Sequence, residues 1–193
     1  MKSGIFFVFM MTFLWTVSMD AATYQIDKDH TAVSFKIRHL FSKVQGSFTD
    51  FEGSLDYDEA NPMALTAKAV IQARSVNTQV EQRDNHLRSA DFFDVEKFPT
   101  LSFESVKVKE KTETGVVLEG VLTIHGQKRR VPLTVDIHGV GKDPWGNIRV
   151  GMTAATTINR KDFDLTWNKA VETGGALVGD EVEITIELEG IQQ

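Results

Sequence analysis

Between Thr31 and Glu189, apolar and polar residues trade places with period two, and glycine- or charge-rich turns interrupt the run at fairly even intervals. A sheet that buries one face and wets the other leaves this pattern. In the first segment, 31–39, Val33, Phe35 and Ile37 share one face against Ser34, Lys36 and Arg38. The second, 44–57, changes phase from Val44, Gly46 and Phe48 to Phe51, Gly53, Leu55 and Tyr57, which predicts a β-bulge near Thr49-Asp50. The third, 64–73, sets Leu65, Ala67, Ala69 and Ile71 on one face, and the small residues among them leave space instead of filling it. The fourth, 101–109, also shifts phase, from Leu101 and Phe103 to Val106 and Val108. Further strands follow at 116–124, 131–137, 148–158 and 181–189, the last being the cleanest, with Val182, Ile184, Ile186 and Leu188 against glutamates.

Short turns at Asn61-Pro62, His125-Gly126 and Asp143-Pro144-Trp145-Gly146 imply antiparallel neighbours. The predicted fold is all-β, an eight-stranded antiparallel up-and-down barrel, because closure hides one face without leaving an edge. A barrel of about eight strands is either filled by its own side chains or hollow enough for one elongated ligand. Two insertions break the rhythm, and both are expected to cover the barrel ends. In 75–99, Thr78 and Glu81 have capping-box spacing, which predicts a short helix over 79–88 with Asp84 and Arg88 as an i,i+4 pair. The second, 159–179, carries Trp167 and the glycines 174, 175 and 179.

The chain has 193 residues, enough for one such domain. Lys2 and the apolar run Ile5–Val17 read as a secretory signal peptide over 1–22, with an uncleaved anchor as the alternative, followed by the barrel domain over 23–193. Such a leader implies that the mature protein is exported. Cysteine is absent, so neither disulfides nor thiolate chemistry are available. The net charge of −6, without a basic patch, argues against nucleic acid as a partner.

No Gly-x-Ser-x-Gly elbow, phosphate loop or dinucleotide fingerprint occurs, and the five histidines share no metal-ligand spacing. No catalytic residue, metal ligand or cofactor is therefore assigned. Arg83 and His86 stand three apart on the predicted helix, His39 has inward parity at a strand end, and Arg160 sits where the seventh strand stops. These four are candidates to hold a polar head group at a cavity mouth. The competing reading of each is local, with Arg83 paired to a neighbouring acid and His39 bonded to a backbone carbonyl. The aromatic residues likewise read either as packed core or as ligand contacts.

The run EQRDNHLRSADFFDVEKFP at 81–99 closely resembles the signature of the YceI-like family, as do LTIHGQ at 122–127, VGKDPWG at 140–146, TINRKDF at 157–163 and LVGDEV at 177–182. The resemblance covers nearly everything after the leader. It implies an extended, lipocalin-like barrel with a long apolar tunnel that binds polyisoprenoids or related amphiphilic lipids, commonly in the periplasm and often as a homodimer. Transient membrane contact for ligand exchange fits the same role. On this basis the tunnel residues are expected to be Phe35, Ile37, Phe48, Phe51, Leu65, Ala67, Ala69, Phe92, Phe93, Leu122, Val135, Met152, Ala154 and Trp167. The alternative is an enzyme acting on a lipid or quinone precursor in the same cavity, with His39 or His86 as base.

Overall fold

The computed structural model describes residues 21–170 and 176–193; the leader run Ile5–Val17 and the glycines at 174 and 175 lie outside them. One sheet carries the strands β1 (Ala22–Ile26), β2 (Ala32–His39), β3 (Ser42–Phe48), β4 (Phe51–Tyr57), β5 (Thr66–Gln72), β6 (Val76–Asn77), β7 (Thr100–Lys111), β8 (Gly115–Ile124), β9 (Gln127–Lys142), β10 (Ile148–Asn159) and β11 (Val178–Gln192). From β4 to β11 the long strands pair antiparallel in up-and-down order, and β1 closes the barrel by pairing with both β4 and β11, which makes eight strands.

The seam is forked. β1 takes the end of β11, at Gly190–Gln192, while β2 takes its earlier stretch, with Val182 opposite Ile37 and Glu187 opposite Ala32. Residues 27–31 make an excursion between the two, held where Asp27 N and Thr31 Oγ1 both donate to the Glu189 carbonyl. The same fork divides the predicted second strand. β3 pairs with β2 and β6, β4 pairs with β1 and β5, and Thr49-Asp50 is a corner between them instead of a bulge within one ladder. The phase change in β7 is a true irregularity: the register slips between Ser105 and Lys107, leaving Val106 exposed.

Two glycines set the shape of the bore. A Cβ on Gly46 would lie 2.3 Å from Phe35 Cζ, and one on Gly120 would lie 2.2 Å from Phe103 Cζ. Each ring therefore lies flat over a neighbouring strand instead of crossing the interior.

Inside, the strands enclose two regions. At the end holding the β7–β8 and β9–β10 turns, Tyr24, Leu55, Tyr57, Leu65, Val116, Leu118, Leu133, Val135, Val150 and Met152 form a packed plug. Toward the other end, a second cluster including Phe48, Phe51, Leu101, Ile124 and Ile158 lines the walls and is only partly filled inward.

The helix α1 (Glu81–Arg88) begins at Glu81, two residues later than the capping box predicts, and Val80 at its N-cap makes no side-chain bond. Thr78 is engaged elsewhere: its backbone N donates to Asp84 Oδ1 at 2.8 Å and its hydroxyl donates to the same oxygen. Asp84 is thereby buried against Thr78 and does not pair with Arg88, whose guanidinium bonds the carbonyls of Arg74 and Val76 and the side chain of Asn85.

Candidate functional site

The half of the barrel above the plug holds a cavity of about 590 Å³, within the ~300–1,000 Å³ of small-molecule sites. Its floor is the upper surface of the plug, with Leu55 and Leu133 from the packed cluster and Ala67, Phe103 and Ala154 beside them. Alanines at two floor positions keep the strands in place without occupying the bore. The walls continue through Ile71, Leu101, Leu122, Val182, Ile184 and Ile186, so the surface facing the void is mostly hydrocarbon.

Eleven of the fourteen expected tunnel residues border this cavity: Phe35, Ile37, Phe48, Phe51, Ala67, Ala69, Phe92, Phe93, Leu122, Ala154 and Trp167. Leu65, Val135 and Met152 do not. They face inward but lie at the plugged end, buried among one another's neighbours. Alternation gives the face of the sheet on which a side chain lies; the height along a tilted strand decides whether it meets the void. For the same reason the bore is a blind chamber and not a tunnel through the whole barrel. Among the wall residues outside the expected set are Val182, Ile184 and Ile186, although their strand shows the cleanest alternation in the chain.

Both insertions converge on the open end. His86 on α1 meets Trp167 edge-on at 4.7 Å between ring centroids and Phe92 at 5.0 Å, and Phe92 meets Trp167 at 5.2 Å. This aromatic gate joins the helix, the loop after it and the second insertion across the cavity mouth. His86 is oriented by Asp91, whose Oδ2 lies 2.9 Å from Nε2. Phe93 turns inward and packs edge-to-face on Phe48 at 5.7 Å.

The four expected head-group residues all border the cavity, but they are not equivalent. Arg83 donates from Nε to Thr78 Oγ1 at 2.7 Å and from Nη2 to the Thr78 carbonyl at 2.9 Å. It bonds no carboxylate directly among the described residues; Asp84 reaches it only through the Thr78 hydroxyl. His39 pairs across the β2–β3 hairpin with Ser42, next to the mouth. Arg160 is held by the fold through Nε and Nη1, while its buried Nη2 makes no hydrogen bond among the described residues. Only 2% exposed, it donates from Nε to the Gly179 carbonyl at 2.8 Å, and from Nη1 to the Leu165 and Trp167 carbonyls, so it holds the loop that presents Trp167. Its Nη2 lies 3.7 Å from Asp180 Oδ1; burial pulls the guanidinium pKa down and Asp180 partly opposes that.

Away from the cavity, oxygen and nitrogen atoms of Asp27, His30 and Glu189 converge within 4.8 Å of one another. The positive charge there is supplied by Arg149, whose Nη1 donates to Asp27 Oδ2 at 2.6 Å and to Glu189 Oε2 at 3.0 Å, while Nε donates to Asp143 Oδ2 at 2.8 Å.

Residues 24–190 match the family model of the YceI-like domain. The chain is 40% identical over 195 residues to a protein YceI of Salmonella agona, covering 100% of this chain and 98% of that one. The crystal structure of the Campylobacter jejuni YCEI protein aligns with a TM-score of 0.71 at 33% identity, over 86% of this chain and 96% of that one. A polyisoprenoid binding domain from Saccharophagus degradans shares the fold at 14% identity, with a TM-score of 0.66 over 90% and 99% of the two chains.

Proposed function

The chain belongs to the YceI-like family, and from that premise we propose that it is an exported, non-catalytic carrier that shields the apolar tail of a polyisoprenoid or similar long-chain amphiphile inside its barrel. The observation that carries the proposal is the chamber itself, about 590 Å³ of hydrocarbon-lined space above a packed floor. A structural barrel has no use for such a void, because unfilled apolar space forfeits dispersion contacts and weakens the fold. The name of the Saccharophagus degradans domain, which has the same fold, is consistent with this assignment.

Water rejects a long hydrocarbon, and enclosing it gains roughly 25 cal/mol per Å² of apolar surface. A tail of a few hundred Å² therefore gains several kcal/mol, enough to exceed the cost of immobilising it. At ~30 Å³ per water-sized group, the chamber accepts roughly twenty such groups, which favours short prenyl chains or one end of a longer one. Apolar burial is non-directional, so selectivity along the tail is loose. Discrimination falls to the mouth, where Arg83, His86 and His39 offer donors to an oxygen-bearing head group.

Native mass spectrometry of protein purified from its exported form tests this directly. A co-purified long-chain species is expected, along with saturable uptake of farnesol or geranylgeraniol by delipidated protein. Empty protein that takes up neither alcohol overturns the proposal.

A further inference from the structure

The β2–β3 hairpin breaks two rules at its tip. The register places His39 opposite Ser42, so the loop is the two residues Leu40 and Phe41. Loops of this length favour Asn-Gly or Gly-containing pairs, because they need positive φ and stand in water. Here Leu40 has φ +50°, a conformation that is costly for a branched apolar residue, and Phe41 is 96% exposed. The tip is also fixed in place. Leu40 N donates to the Leu177 carbonyl at 2.9 Å, and Arg38 Nη1 donates to the Leu40 carbonyl at 3.2 Å. A strained turn held rigid so that it presents a phenyl ring to solvent offers nothing to the stability of the barrel, and strain of this kind collects where function needs it.

Its position gives the reason. His39 and Val44, which flank the turn, and Leu177, which anchors it, all border the cavity mouth, as does the half-exposed Val80 at the start of α1. Arg38 and Lys43 stand exposed on either side of the tip; Lys43 Nζ pairs with the half-exposed Glu183, and Arg38 keeps its remaining guanidinium donors toward solvent. An apolar point beside the opening, with Arg38 and Lys43 next to it, is complementary to a lipid surface: the ring enters the acyl boundary, Arg38 meets a headgroup phosphate, and Lys43 exchanges its exposed, weak pair with Glu183 for another.

We propose that Phe41 and Leu40 dock the mouth of the barrel onto a lipid bilayer, so that an apolar cargo passes between membrane and chamber without crossing water. The purpose of docking rests on the carrier function proposed above; the docking itself is a separate physical claim. Trp145, 81% exposed in the β9–β10 turn, lies at the plugged end and away from the mouth, so it is not part of this docking surface.

The chain has no cysteine, so single-cysteine variants carry a polarity-sensitive fluorophore at one chosen site. Ser42→Cys reports on the tip and Glu113→Cys, in the β7–β8 turn, reports on the opposite end. With vesicles of mixed phosphatidylethanolamine and phosphatidylglycerol, emission is expected to shift to the blue at position 42 and to stay unchanged at position 113. Adding Phe41→Asp should abolish the shift and weaken vesicle flotation by about tenfold or more, while farnesol affinity in vesicle-free solution is unchanged. Equal shifts at both sites, a shift at neither, or indifference to Phe41→Asp overturns docking. A shift at position 42 that grows with protein concentration without vesicles, and vanishes in Phe41→Asp, also overturns it by assigning the tip to a second copy of the chain. If vesicles shift position 42 but the protein takes up no prenol, docking stands and the carrier function falls.

Discussion

Met152 and Ala154 point inward from the same strand, two residues apart, and end in different surroundings. Met152 is buried in the plug, while Ala154 borders open space at the cavity floor. The same contrast runs around the barrel, with Leu118 against Leu122 on β8 and Leu65, just before β5, against Ala67 within it. One half of the barrel holds the strands together by close packing, which leaves the other half free to remain open. A β-barrel closed by hydrogen bonds alone still needs an apolar core to be stable; here the plug supplies it across the bore, while the buried residues of the other cluster, such as Val76 and Phe163, pack around the cavity.

The largest expected effect is therefore on stability and lies in the plug. Leu118, 2% exposed, has neighbours on every side, so Leu118→Ala should cost about 2–5 kcal/mol through lost transfer energy and a new cavity. Leu122→Ala, on the chamber wall, removes atoms that already face space and should cost no more than about 2 kcal/mol. Urea unfolding midpoints measure both, and equal costs would mean that the two halves are packed alike.

Overpacking separates the halves in a second way. Met152→Trp forces a large ring into a filled region and should destabilise by about 1–3 kcal/mol, with prenol uptake retained. Ala154→Trp has room for its ring, so the fold should change little while uptake is lost. A fluorescence titration with farnesol beside a thermal melt of each variant checks the pair, and the reverse outcome would place the void at the wrong end.

The sequence carried half of this distinction. Period-two alternation was enough to fix which residues face inward, and the small side chains Ala67 and Ala154 marked where space remains. It could not assign height, because a closed barrel tilts its strands and the stagger between neighbours depends on pairings remote in sequence. Leu65, Val135 and Met152 share their parity with true wall residues and differ only in which layer they reach. The fork at β11 was hidden for a related reason. β1 is a short segment of only five residues, and the partner that closes the barrel, β11, lies at the far end of the sequence. At the mouth, the convergence of His86, Phe92 and Trp167 depends on two insertions folding over one end, and the carbonyls that Arg160 holds lie on a loop whose path a strand pattern does not give.

The plugged end also carries the charge cluster that acid should release. The Arg149 guanidinium holds the carboxyls of Asp143 and Asp27 well below the usual range, helped at Asp143 by Asn147 and at Asp27 by His30, and its own pKa is raised in return. Since both carboxyls titrate lower in the folded chain than in the unfolded one, the unfolded state takes up protons first as pH falls. Their contribution is whole above about pH 4 and is lost as pH drops through the folded values. The cluster links the 27–31 excursion, the β9–β10 turn and β11, so the effect is local before it is global. Hydrogen exchange should show the amides at the start of β10 and the end of β11 losing protection between about pH 4 and pH 2, with those around α1 less affected. In Arg149→Met the carboxyls return toward ordinary values and most of that pH dependence should disappear. The size of the effect is the smallest of the three, because these groups meet solvent on one side, but its location is specific: if acid loosened the aromatic gate at the mouth first, the plug would not be the end that this cluster secures.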